Sequence, residues 1–189
     1  MTLRYRAVTP DRWKDLAQLF GPRGACGGCW CMWWRLPRRD YSRGQGAGNR
    51  RRLRRLVQDG PPPGLLAYDG DEPVGWVAVG PRRDYPMLER SRILQPFDDR
   101  PVWSVVCLFV DRRYRRRGVT VGLIEAAVRL ARRRGARILE GYPTDPKGGP
   151  LPAAFVWTGL ASAFRKAGFR EVARRSPTRP IFRKVLRAS

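Results

Sequence analysis

The passage from Val102 to Arg134 constrains this chain more than any other. Val102 to Val110 is rich in Val and aromatic residues, the composition of a strand in the middle of a sheet. From Val119 onward the spacing changes. Leu123, Ile124, Ala127, Val128 and Ala131 recur at three and four, while Arg129, Arg132 and Arg133 fall away from them. That is the pattern of an amphipathic helix, and Gly135 stands where such a helix would stop. A buried strand followed at once by a one-sided helix points to layered α/β architecture.

The rest of the chain fits around this unit. Leu3 to Val8 alternates apolar and basic residues and predicts a first strand. Thr9-Pro10-Asp11 supplies an N-cap, a first-turn Pro and a first-turn acid, so a helix is expected to about Phe20, where Gly21-Pro22 ends it. A basic helix is expected near Asn49 to Gln58. Leu65 to Tyr68 and Val74 to Val79 flank Asp69-Gly70-Asp71 as a hairpin. A short helix is expected around Met87 to Leu94, a strand at Ile138 to Tyr142, a helix from Thr158 to Ala167, and closing strands at Glu171 to Arg175 and Ile181 to Val185. The predicted order is strand, two helices, three strands, helix, strand, helix, two strands. No linker or repeat divides the 189 residues, so a single domain over 1–189 is expected, with a Cys- and Trp-rich insertion at about 21–48.

Between the central strand and its helix runs Asp111-Arg-Arg-Tyr-Arg-Arg-Arg-Gly118. Unsatisfied N–H groups at a helix start, aided by the helix dipole, attract anions, and a glycine there lets a phosphate approach the backbone. The residues Val110, Tyr114-Arg115-Arg116-Arg117-Gly118-Val119-Thr120 and Leu123-Ile124 resemble the signature of the GNAT superfamily of N-acetyltransferases: an apolar strand ending in Val, then Tyr-Arg-x-x-Gly-x-Gly/Ala, then a helix opening with Leu-Leu. Thr120 stands in place of the usual Gly or Ala, and Arg112 in place of a common Pro. Phe164-Arg-Lys-Ala-Gly-Phe169 resembles the family's closing-helix motif, Tyr-x-Lys-x-Gly-Phe.

The resemblance implies a twisted mixed sheet of six to seven strands with helices on both faces and a splay between the fourth and fifth strands. Acetyl-CoA would be the cosubstrate. Its pantetheine would lie in the splay beside Phe109 and Val110, and its pyrophosphate would sit on the loop and helix start formed by Arg115, Arg116, Arg117, Gly118, Val119 and Thr120. Phe164 would pack near the thioester. The chemistry implied is transfer of acetyl to a primary amine by direct attack, with no covalent enzyme nucleophile and with rate supplied by proximity and orientation.

Other candidates rest on residue type. Glu140, on the strand across the splay, is the best-placed carboxylate for relaying a proton from the amine, with an ion pair to a neighbouring Arg as the alternative. The family's thiolate-protonating Tyr corresponds to Phe164, which has no proton to give. Among the nearby hydroxyls of Tyr142, Ser162 and Thr158, Tyr142 has the longest reach and is the expected donor. Trp30, Trp33 and Trp34 either join the core or wall an acceptor pocket, and Arg35 beside them could hold an acidic acceptor. Cys26, Cys29 and Cys31 have spacing compatible with metal, but without a second ligand pair or any His they are expected to be metal-free thiols.

Composition narrows the partners. The formal charge is +23, and 35 of the 39 basic residues are Arg, spread over nearly every segment rather than gathered in a patch. A nucleic-acid-binding module is therefore the weakest of three readings, behind a catalytic GNAT domain and a non-catalytic one that binds CoA or a partner. The absence of His excludes His-based triads and His metal ligands. No apolar run approaches the ~20 residues that span a bilayer, so membrane partners are not expected and a cytoplasmic location is. A homodimer is compatible with such folds.

Overall fold

In the computed structural model, which describes residues 2–147, 149 and 151–186, seven strands form one mixed sheet in the order β1-β2-β3-β4-β5-β7-β6. The outermost residues of the expected domain, 1 and 187–189, lie outside the described residues. β1 (Leu3–Ala7), β2 (Gly64–Asp69), β3 (Glu72–Pro81) and β4 (Trp103–Val110) pair antiparallel in succession. β5 (Ile138–Gly141) runs parallel to β4, and β7 (Pro180–Val185) and β6 (Arg170–Arg174) complete the sheet antiparallel.

Helices cover both faces. On one side α5 (Val119–Arg133) and α6 (Ala161–Lys166) bury Leu123, Ile124, Ala127 and Phe164 against Val77, Val105 and Phe182. Leu123 and Ile124 have no exposed surface, so trimming either to Ala would cost about 2–5 kcal/mol. On the other side lie α1 (Trp13–Phe20), α2 (Arg38–Gly44) and α3 (Ala47–Asp59), with the turn-rich stretch between α1 and α2 folded beneath them. Leu16, Met32, Leu53 and Val57 pack there on Leu66 and Trp76.

Two elements depart from expectation. α2 was not foreseen, because Arg38–Gly44 carries one large apolar side chain, Tyr41, and has no helical periodicity; Tyr41 instead packs edge-on to Trp33 at 5.1 Å. The helix expected over 87–94 is only the short α4 (Pro86–Glu89), anchored by fully buried Leu88.

What positions the site is an irregularity in β4. Ala78 of β3 opposes Cys107, but the next residue, Val79, opposes Val105, so Val106 is an extra residue, a β-bulge. Val106 and Cys107 consequently both face α1 and its neighbours, while Val105 and Leu108 face α5. β5 accompanies β4 only through Trp103↔Leu139, Ser104↔Glu140 and Val105↔Gly141. Beyond the bulge β4 continues to Val110 without β5, and the sheet opens into a wedge.

Candidate active site

A cavity of about 540 Å³ occupies that wedge and runs along β4 to the start of α5. Phe109, Val110, Arg115, Arg116, Gly118, Val119 and Thr120 line it, together with Tyr114, Val121, Trp157, Ser162 and Lys166. Gly118 adopts a left-handed conformation, φ +79°, a backbone that L side chains rarely adopt, and a Cβ there would meet nothing within 4 Å. No side chain caps α5 and no acid lies in its first turn; the first backbone bond at its start is Gly122 N–H to Gly118 O. The earlier N–H groups thus have no intrahelical acceptor, which leaves an uncapped positive helix end beside Arg115 and Arg116.

At the far end of the wedge a second cavity of about 190 Å³ continues inward, sharing Ala25, Cys26, Leu108, Phe109, Ala154 and Trp157 with the first. Trp33, Trp34, Tyr41 and the thiols of Cys29, Cys31 and Cys107 complete its walls. The rings lock one another: Trp33 meets Trp157 edge-on at 6.3 Å, and Trp34 meets Trp157 at 5.9 Å. Cys31 Sγ lies 3.1 Å from Cys107 Sγ and accepts the indole N–H of Trp76, also at 3.1 Å. Burial, reinforced by the Cys107 hydrogen bond, pushes the Cys31 thiol well up, and the hydrogen bond to Cys31 together with burial does the same to Cys29. Among the described residues no group of three or more Cys, Asp or Glu is placed to hold a metal ion.

The structure places several expected residues elsewhere. Glu140, 1% exposed, faces a separate buried ion network: Arg183 Nε donates to its Oε1 at 2.6 Å and Arg82 Nη1 to its Oε2 at 3.0 Å. Arg183 in turn forks onto both oxygens of Asp98, at 2.6 and 2.8 Å. The hydroxyl of Tyr142 belongs to the same network, donating to Glu140 Oε2 at 2.7 Å and accepting from Arg82. Burial and the Glu140 charge push its pKa far up, which opposes the role of proton donor. Glu140 sits where β4 and β5 are still paired and Tyr142 just past the last pair, and neither lines a cavity described above.

Phe164 is fully buried beneath the wedge; a Cβ on Gly141 or Gly159 would overlap its ring. Arg117 stacks near Tyr114 rather than lining the cavity. Trp30 is core, stacked on Trp13 at 6.0 Å, and Arg35 lies over the Tyr85 ring at 4.5 Å, away from the aromatic cavity.

Trp157, Ala154, Tyr41 and Leu108 were missed as lining residues. Trp157 comes from the irregular stretch between β5 and α6, and its carbonyl accepts the Leu108 N–H at 2.6 Å, so the chain itself pairs with β4 beyond the bulge. A Trp close to Phe155 in a Pro- and Gly-rich stretch was the one available signal.

A bulged central strand, a one-sided splay and an uncapped helix start at its mouth mark a class of mixed-sheet α/β fold built around an open wedge. The profile of the Acetyltransferase (GNAT) family matches residues 30–146, and the chain belongs to that family. Solved structures agree on the fold. A GNAT-family acetyltransferase from Desulfovibrio desulfuricans is 15% identical over 98% of this chain and 100% of its own, with a TM-score of 0.56. The PaiA N-acetyltransferase of Thermoplasma acidophilum, solved with coenzyme A, is 12% identical over 98% and 99%, at 0.53. A mosquito arylalkylamine N-acetyltransferase-like protein is 12% identical over 98% and 100%, at 0.58. No curated protein matches by sequence.

Proposed function

We propose that the protein transfers acetyl from acetyl-CoA to a primary amine by direct attack on the thioester. One observation carries this: a single continuous cavity joins the uncapped, basic start of α5 to the unpaired edge of β4 and ends in a second pocket. Phosphates fit the first end, because free N–H groups at the helix start stand beside Arg115 and Arg116 with no carboxylate lining the cavity. The coenzyme A complex of PaiA, a protein of the same fold, supports the assignment of ligand.

Acetyl-CoA supplies the activated acyl group. The wedge holds the thioester against the second cavity, and binding the amine there turns a bimolecular collision into an oriented attack. The new N–C bond forms as the C–S bond breaks, and the proton lost by nitrogen ends on the departing sulfur. Among the described residues no Asp or Glu lines either cavity, so a lining hydroxyl such as Ser162, or water, would pass that proton.

Substitution at Gly118 tests the anion end. Gly118→Asn keeps side-chain size and tolerates the left-handed backbone, whereas Gly118→Asp adds a negative charge. Calorimetric affinity for CoA should fall about tenfold or more from the Asn to the Asp variant. Equal affinity for the two would move the phosphates away from this loop.

A further inference from the structure

We infer that the acceptor is a single-ring aromatic amine of the aniline class, one that is uncharged at neutral pH, bound between Trp33, Trp34, Tyr41 and Trp157. This rests on the acetyl-transfer reading above and specifies the acceptor.

Size comes first. An apolar cavity of about 150 Å³ takes one benzene ring, and this one measures about 190 Å³. One ring with a small substituent fits; a polyamine chain or a peptide side chain with its backbone does not fill the same shape. The walls are flat rings fixed by mutual edge and tilted contacts, suited to a planar guest.

Charge decides the class of amine. No charged side chain lines the cavity among the described residues. An ammonium ion brought there would lose its water without gaining a carboxylate, a costly transfer. Aromatic rings alone sometimes hold cations, but here the guanidinium of Arg38 already lies 3.7 Å from the centre of the Trp33 ring. A chain of net charge +23 also repels a second cation.

The floor contributes no base either. Cys29, Cys31 and Cys107 form a run of thiols, and burial holds Cys31 protonated, so these groups present soft, weakly polar surface. An arylamine needs none of the missing groups. Its nitrogen arrives neutral with its lone pair free, attacks the acetyl carbon, and releases one proton to the CoA sulfur, giving an N-aryl acetamide and free CoA thiol.

The experiment compares aniline, 2-phenylethylamine and spermidine as acceptors, following thiol release from acetyl-CoA between pH 6 and 9. Acetyl-CoA binding is measured separately by calorimetry. We expect kcat/KM at pH 7 for aniline to exceed that for either cationic amine by about tenfold or more, with a flat pH profile for aniline and a rising one for the others. Trp33 lines the smaller cavity and not the larger. Trp33→Leu should therefore raise the aniline KM about tenfold and leave acetyl-CoA affinity unchanged, and Tyr41→Ala gives a second variant with the same expected outcome. Preference for spermidine or 2-phenylethylamine with normal acetyl-CoA binding overturns the acceptor class alone. Acetyl-CoA that fails to bind, or binds and is consumed with none of the three amines, overturns the transfer reading and the acceptor with it.

Discussion

Individual residues in this protein are told apart by their surroundings more than by their type. The four cysteines share one cavity wall, yet Cys26 is exposed, Cys29 half-buried, and Cys31 and Cys107 buried. Only the thiolate is nucleophilic, and burial and thiol–thiol hydrogen bonds disfavour it at Cys29 and Cys31. Iodoacetamide at pH 8 should therefore label Cys26 first, with Cys31 and Cys107 reacting only on unfolding; peptide mass mapping over time gives the order. Rapid labelling at Cys31 would mean that the aromatic wall opens readily. The sequence grouped Cys26, Cys29 and Cys31 by spacing but could not rank them, because rank depends on β4 bringing Cys107 to Cys31 across the fold. The same holds for Glu140 and Tyr142. Their position across the splay was legible as residues of β5 and the turn after it, while the arginines that claim them, Arg82 and Arg183, lie far away in sequence.

Among the elements, those with strong periodicity could be read directly. β4, α5 and the basic turn between them stand where the Val-rich run and the three-and-four spacing put them, and the lining of the cavity at the start of α5 follows from that local continuity. The aromatic end was legible only in Trp33 and Trp34. Besides β4 it is assembled from the turns after α1, from α2 and from the stretch before α6, none of which carries a periodic signal. The junction of β4, β5 and β7 is held by charge on one face, opposite the apolar packing of Val105, Leu139 and Phe182 on the other. Arg183 and Glu140 have side chains only 5% and 2% exposed. Removing one partner of such a pair strands the other, so Glu140→Gln should lower unfolding free energy by about 3–5 kcal/mol. Denaturant titration reads this as a lower midpoint with unchanged slope, and because Glu140 lies behind the wedge the chemical rate of the folded variant should hold. A variant as stable as the parent would show that the network contributes no net stability.

Over the whole molecule the basic excess sets how stability responds to solution conditions. Hydrogen bonds from arginine depress the carboxyl pKa values of Asp98, Asp111, Asp145 and Glu171, and the Tyr114 hydroxyl with Arg113 does so for Glu72. A carboxylate whose folded pKa is depressed stabilises the fold above its unfolded value and gives that up as pH falls through the folded one. Thermal stability should be level from neutral pH to about 5 and decline below about 4. Net charge climbs over the same interval from +23 toward the full complement of 39 basic groups, so added salt should soften the decline by screening. A melting temperature that holds to pH 3 in dilute buffer would count against this. One further consequence follows from the extra residue in β4. A strand sends alternate side chains to opposite faces, so Ser104 and Phe109, an even and an odd position, share the α1 face only because Val106 shifts the parity between them. Excising Val106 would therefore turn no side chain over: Cys107 would follow Val105 onto the opposite face, where it already lies, and Leu108 would still face α5. The pairs Ala78↔Cys107 and Val79↔Val105 would become consecutive, so the change would remove one buried valine and the local bend that an extra residue imposes on β4 where the sheet opens.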